Sequence, residues 1–372
     1  MELQITDVAF GGKGVARASG KAVFVPYVID GETVSANITR EHKKFLEAEL
    51  ERIVTASPHR VGPRCPYFGR CGGCVYQHID YEHQLALKWR QVKETLRRIG
   101  GLKEPPMRPF IPSPIEYEYR NRITVHVRDG VVGFFRRESN KLLDIERCPI
   151  ALNEVTAQLA ELRGSRPRDG HYTLRAGAGS RVFTQANDAV AAAMLDLVDR
   201  LLGSASGTLI DAYCGAGFFS KRLRGRFGKV VGIDWDQHAI AAAREDASEN
   251  EVYVAAEVEA ELAAQLRSIT STLGEENNAV IVDPTATGLS KMILETLIEH
   301  QPTQLIYVSC NPATLARDLA ELKKSFRIDS ITPLDMFPQT AEIECVAHLA
   351  RNDEPVRSTD KGLLDLPFIG GP

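Results

Sequence analysis

The chain of 372 residues has no apolar run near the roughly 18–20 residues that a bilayer-spanning helix needs. Its first stretch, "MELQITDVAF", shows neither the basic start nor the apolar middle of a secretory signal. Cysteines number seven, an odd count that argues against a disulfide framework. No internal repeat is present, and the net charge of −4 lacks the overall basic excess of a typical nucleic-acid binder. These absences point to a cytoplasmic protein, expected to be monomeric, whose thiols serve metal ligation or nucleophilic chemistry. What remains is ordinary globular material: 44% hydrophobic, 25% charged, and long enough for two or three domains.

The small net charge hides an asymmetry. Residues 1–180 hold 28 Lys+Arg against 21 Asp+Glu, a net of +7, and the remainder is therefore −11. A basic N-terminal half suits a polyanionic partner.

Residues 1–56 alternate in short runs broken by glycine turns and by "DGE", which predicts about five strands and a small barrel of the oligonucleotide-binding type. Residues 57–180 read as a central α+β unit: a Pro/Gly-rich cysteine segment, a helix from Tyr81 to Ile99, and a hairpin turning at Asp129-Gly130. From 181 to 350, strands near 208–212, 229–234, 252–255, 279–283, 304–309, 326–332 and 343–349 alternate with helices. That rhythm predicts a doubly wound, Rossmann-like α/β domain with a mostly parallel sheet. Residues 351–372 read as a loose tail.

Three features carry chemistry. "CPYFGRCGGC" sets Cys65, Cys71 and Cys74 in a C-x(5)-C-x(2)-C array, and Cys148 in "IERCPI" is the candidate fourth thiolate. Zinc sites usually come as two C-x(2–4)-C pairs; an uneven trio with one distant cysteine suits a [4Fe-4S] cluster better. "GTLIDAYCGAGFFS" reads as strand, glycine turn and helix, with Asp211 ending the strand and Gly215 and Gly217 admitting a ligand to the backbone. Asp234 ends the next strand, placed for ribose hydroxyls. The G-x-G-x-x-G phosphate cradle is missing, so S-adenosylmethionine is a better fit than NAD. Finally, "LIYVSCNPATLARDL" puts Cys310 between a strand and a helix capped by Asn311 and begun by Pro312. A thiol beside a helix N-terminus is expected to have a depressed pKa and nucleophilic character.

The ordered set "FTQAN", "DAYCGAGFFS", "GIDWD", "DPTATG", "YVSCNPATLARD", "DMFPQTAEIE" resembles the RNA uracil-C5 methyltransferases, and with the cysteine array the 23S ribosomal-RNA type. The resemblance covers residues from near 1 to about 350. It implies a TRAM domain at the N-terminus and an iron–sulfur cluster on the four cysteines. It implies S-adenosylmethionine held by Gln185, Asp211, Tyr213, Gly215, Asp234 and Asp283, with Phe183 nearby, and RNA as the partner. It further implies that Cys310 attacks uracil carbon 6 and that Glu344, with Glu342 as the fallback, takes the carbon-5 proton. The chain departs from the family where an arginine usually stands at Ala286, histidines at Gln339 and Glu342, and asparagine at Phe218. The missing arginine leaves open an RNA-binding paralogue with weak or lost activity, and a transfer-RNA enzyme is the alternative within the family. The row Lys88, Arg90, Lys93, Arg97, Arg98, with Arg120, Arg122 and Arg128, is the expected phosphate-contacting surface.

Overall fold

A computed structural model describes residues 1–177, 184–270 and 277–352. Phe183 and the tail from 353 onward lie outside the described residues.

The N-terminal strands number six: β1 (Glu2–Gln4), β2 (Asp7–Val8), β3 (Lys13–Ala18), β4 (Lys21–Pro26), β5 (Thr33–Glu41) and β6 (Phe45–Thr55). Their order is β1-β5-β6-β4-β3-β2. Residues 2–8 thus pair with both edges, β1 on β5 and β2 on β3. The sheet curls shut, leaving no long edge to aggregate. Inward positions alternate, so Ile5, Val23, Val25 and Val34 fill the interior.

A helix follows, α1 (Tyr81–Arg98), capped by Asp80, whose carboxylate accepts the His83 amide at 2.8 Å. Next comes a four-stranded antiparallel sheet of β7 (Arg122–Arg128), β8 (Val131–Phe135), β9 (Leu142–Asp144) and, after α2 (Asn153–Gly164), β10 (Gly170–Arg175), in the order β10-β7-β8-β9. The β7–β8 turn falls at Asp129-Gly130 as expected, both residues being left-handed (φ +52° and +76°).

The remaining chain alternates: α3 (Asp188–Leu201), β11 (Thr208–Ala212), α4 (Phe218–Leu223), β12 (Lys229–Asp234), α5 (Gln237–Arg244), β13 (Glu251–Ala255), α6 (Val258–Thr270), β14 (Ala279–Val282), α7 (Lys291–His300), β15 (Gln304–Ser309), α8 (Pro312–Leu322), β16 (Phe326–Leu334) and β17 (Glu344–Arg351). The seven strands lie in the order β13-β12-β11-β14-β15-β17-β16. β17 alone runs against its neighbours. Helices cover both faces, which is why the strands are near-continuous apolar runs. Residues 106–111 lie along β16, with Arg108 N donating to Ile331 O at 2.9 Å and Ile111 N to Pro333 O at 2.9 Å, so the exposed edge is covered. No helix among the described residues is long and apolar enough to cross a membrane.

α1 corrects one expectation. Its basic row is not one continuous RNA-facing surface: Lys88 is out of reach, whereas Arg97 and Arg98 remain exposed beside Glu94. Lys88 is fully buried and paired to Asp335 at 2.7 Å. Arg90 holds Asp30 at 2.9 Å and Asp7 at 3.2 Å in the barrel, and Arg97 and Arg98 both pair with Glu94. Burying an ammonium unpaired is far costlier than leaving it in water, so Lys88 depends on its partner. We therefore expect Lys88→Ala to lower unfolding free energy by about 3–5 kcal/mol. The double variant Lys88→Met/Asp335→Leu should lose much less. Urea unfolding of the three proteins checks this; equal losses would contradict it.

Candidate active site

β15 ends at Ser309 and α8 begins at Pro312, with Asn311 Oδ1 accepting the Ala313 amide at 3.0 Å. Cys310 stands half-buried in the two-residue gap. The rest of α8's first turns grips the neighbouring loop 283–289. Asn311 Nδ2 and Thr314 Oγ1 donate to the Ala286 carbonyl at 3.0 and 3.2 Å. Arg317 donates to the Thr287 and Leu289 carbonyls, and buried Asp318 accepts from Leu289 N at 2.9 Å and from the Tyr307 hydroxyl at 2.7 Å. Gly288 is left-handed (φ +75°), and a Cβ there would sit 2.6 Å from Asp318 Oδ2. Only glycine fits.

Cys310 shares its surroundings with two acids. Burial, then the nearby Glu344 and Asp283 carboxyls, push its thiol up to about 11. The depressed pKa expected from the helix terminus is not what the surroundings of Cys310 produce. A helix N-terminus contributes about 0.3–1 kcal/mol, and desolvation beside two carboxyls outweighs it. Glu344 is 4% exposed, opens β17 opposite Leu334, and is held well above the usual carboxyl range by burial, Asp283 and Glu342. Glu342 does not share a strand face with it: it lies exposed in the bend before β17. Asp283, just past β14, is raised to about 7 by burial and by Asp211.

The glycine turn after β11 lies beside this centre. Tyr213, Gly215 and Gly217 are all left-handed, at φ +65°, +54° and +88°. For Tyr213 that conformation costs of order 1–3 kcal/mol and marks a constrained loop. Asp211 is fully buried: Oδ2 accepts the Ser220 amide at 2.9 Å, while Oδ1 meets no protein donor. Asp234 accepts from Gly215 N and Asp236 N, both at 2.8 Å, one on each oxygen. Gln185 is buried next to the start of α3, its carbonyl taking the Asn121 side-chain amide at 2.7 Å. One residue the sequence reading passed over is Trp235, 66% exposed immediately after Asp234. A large bare aromatic beside a ribose-type acid is the signal that could have found it.

A cavity of about 850 Å³ is lined by Cys65, Cys71, Cys74 and Cys148, among others. It brings the distant fourth cysteine to the other three. Among the described residues no group of three or more His, Cys, Asp or Glu side chains forms a ready metal site. Burial pushes Cys74 up to about 12 and Cys148 to about 11, and the thiols raise one another. The same cavity carries Lys13, Arg120, Arg122, Arg137 and Arg175 on its walls.

Family comparisons can be set beside this geometry. Residues 166–352 match the tRNA (Uracil-5-)-methyltransferase family and residues 1–50 the TRAM domain. The chain belongs to this family of RNA uracil-5 methyltransferases. It is 32% identical to an RNA methyltransferase of Bdellovibrio bacteriovorus, over 94% of both chains. It is 30% identical to one of Gloeobacter violaceus, over 94% of this chain and 96% of that one. Its fold matches the crystal structure of the Pyrococcus abyssi tRNA (uracil-54, C5)-methyltransferase in complex with S-adenosyl-L-homocysteine, with a TM-score of 0.71 and 25% identity. That match covers 94% of this chain and all of the other. The methyltransferase segment therefore holds Cys310, Glu344, Asp283 and the glycine turn.

Asp211 yields a stability prediction. Burial raises its carboxyl to about 7, with Asp234 adding to the effect. A carboxyl that binds its proton more tightly folded than unfolded contributes stability below its unfolded value near 4, and that contribution is lost as pH rises towards 7. Asp211→Asn keeps an oxygen for Ser220 and cannot ionise. It should melt on the order of 2 °C above wild type at pH 7.5, with the gain vanishing near pH 4. Thermal melts across that range check it, and a lower melting point at pH 7.5 would contradict it.

Proposed function

We propose that this enzyme methylates carbon 5 of a uridine in structured RNA, 23S ribosomal RNA foremost, with S-adenosylmethionine as donor, Cys310 as covalent nucleophile and Glu344 as base. The observation that carries the reading is the meeting of half-buried Cys310 and Asp283 with buried Glu344 beside the glycine turn. When bound, S-adenosylmethionine supplies an electrophilic methyl group on a positively charged sulfur. Asp211 has a buried oxygen unspent by the protein, suited to a donor group of that ligand. Asp234 keeps free lone pairs for ribose hydroxyls. Gln185, Tyr213, Gly215 and Asp283 would complete the pocket, and the exposed Trp235 would offer the bound nucleoside an aromatic surface.

The chemistry follows from what uracil lacks: carbon 5 is too weak a nucleophile by itself. Cys310 Sγ adds to carbon 6, which makes the ring an enolate with electron density at carbon 5. Once carbon 5 carries the methyl group, Glu344 takes its proton, the electron pair restores the 5,6 double bond, and Sγ departs as thiolate. One hard step becomes several easier ones. Both working groups act deprotonated and both are held protonated by their surroundings. A nearby positive charge favours the ionised forms, so donor binding suits the acidic centre. The target base must leave its stack, and the basic cavity walls near Arg120, Arg122 and Arg175 suit the phosphates around it.

The four thiols are proposed to hold a [4Fe-4S] cluster. Their donor set fits: four half-buried thiols lining one cavity, all of them made costlier to ionise by burial, a cost that a bound cation would offset. When bound, the cluster supplies a rigid multi-thiolate cross-link of the central segment. Its role here is structural.

A transfer-RNA substrate is the second reading, favoured by the Pyrococcus abyssi neighbour, which acts on tRNA. Nucleoside mass spectrometry on unmodified ribosomal and transfer RNA, incubated with enzyme and S-adenosylmethionine, separates the two. New 5-methyluridine is expected in the ribosomal pool, absent with Cys310→Ala, and rising in rate from pH 6 to pH 9. Product in transfer RNA alone reassigns the substrate; none in either favours an RNA-binding paralogue. Anaerobically purified protein should contain about four iron and four sulfide per chain, and Cys148→Ala should lose them. Zinc without sulfide would replace the cluster assignment.

A further inference from the structure

Glu344 reaches the reaction centre through the loop 335–343, which joins the paired residues Leu334 and Glu344. That loop is gripped by α1. Lys88 Nζ donates to Asp335 Oδ1 at 2.7 Å and to the Phe337 carbonyl at 3.1 Å. Four residues earlier on the same helix face, Gln84 binds Gln339 twice. Its Oε1 accepts the Gln339 amide at 3.1 Å, and its Nε2 donates to Gln339 Oε1 at 3.1 Å. Gln84 itself is locked by donation to the Ile79 carbonyl at 2.8 Å.

Gln339 needs holding. Its backbone is left-handed (φ +71°), a conformation unfavourable for a residue with a Cβ. Its carbonyl takes the Val75 and Tyr76 amides at 3.1 and 3.0 Å, directly after the last cysteine of the array. Both glutamines are buried, so each of these bonds forms without competition from water. From Gln339 the restraint runs on towards the acid: Thr340 Oγ1 donates to Phe337 O at 2.9 Å and accepts the Glu342 amide at 3.2 Å.

We propose that Gln84 is a positioning residue for methyl transfer, holding Gln339 so that the loop delivers Glu344 in register with the carbon-5 proton. This rests on the covalent reading above. The step that Gln84 controls is the last one. Glu344 removes the proton from carbon 5, the C–H pair becomes the C5–C6 π bond, and the Sγ–C6 bond breaks to return Cys310 as thiolate. Attack by Cys310 and arrival of the methyl group do not use the loop. Loosening it therefore leaves methylated RNA bonded to the protein.

The test is Gln84→Leu, which keeps the bulk and removes both bonds to Gln339. One methyl per enzyme should still be incorporated in a rapid first turnover. The steady-state rate should fall by roughly 10- to 100-fold. The KM for S-adenosylmethionine should stay within about twofold, since the donor pocket is untouched. Methylated RNA should remain with the protein on a denaturing gel. Gln84→Met removes the same bonds with a side chain of closer shape and no buried charge, should behave like Gln84→Leu, and carries the test if Gln84→Leu does not fold. An unchanged steady-state rate overturns the proposal. So does loss of the first turnover together with the adduct, which would mean a general structural role. Cys310→Ala distinguishes a different failure: if it still methylates, the covalent reading falls, whatever Gln84 does.

Discussion

A surface helix normally buries an apolar stripe; α1 buries Gln84, Lys88 and Gln91 as well, and much of the molecule hangs from those three polar groups. Lys88 fastens the start of the catalytic loop and Gln84 its middle. Gln91 donates to the Val8 carbonyl at 2.8 Å, and His83 binds Asp30 at 2.8 Å, so the barrel is tied to the same helix. Apolar packing alone tolerates small rotations of a helix about its axis. Buried polar groups do not, since a few degrees would strand an ammonium or an amide without its partner. α1 is thereby set in one azimuth, and the barrel, the cysteine segment and the loop before Glu344 take their positions from it.

The reaction centre is built the opposite way. There burial and like charges disfavour ionisation. Asp211 and Asp283 are raised to about 7, and Glu344 and Cys310 repel ionisation in one another. A left-handed Tyr213 adds backbone strain beside them. Such a site is stable only because the sheet beneath it is nearly all apolar and covered on both faces. Fold stability and site chemistry are carried by different residues.

That division explains what could be read in advance. The buried strands are local apolar runs, and the cap Asn311 with Pro312 is a local signal, so the sheet and the place of Cys310 were legible residue by residue. The uneven cysteine trio and Cys148 were legible as a group because thiols have few other uses in such a chain. Non-local electrostatics were hidden. Lys88 looked like a surface charge because its partner is 247 positions away. The Cys310 thiol looked acidic because a helix terminus is visible in sequence and a buried carboxyl from another strand is not. Glu342 stood as the fallback to Glu344 because strand spacing would put both on one face, but the strand begins only at Glu344. The sixth barrel strand escaped notice because two residues, Asp7 and Val8, make no pattern.

The loop bearing Ala286 has a consequence for how such an enzyme diversifies. Asn311 and Thr314 bind the carbonyl of residue 286, not its side chain, and Gly288 with Asp318 fixes the far end of the loop. The loop's shape thus depends little on which side chain position 286 carries, and residue 286 is exposed, hydrogen-bonded to the helix start that follows Cys310. Side chains at position 286 can therefore change by single substitutions at little cost to folding.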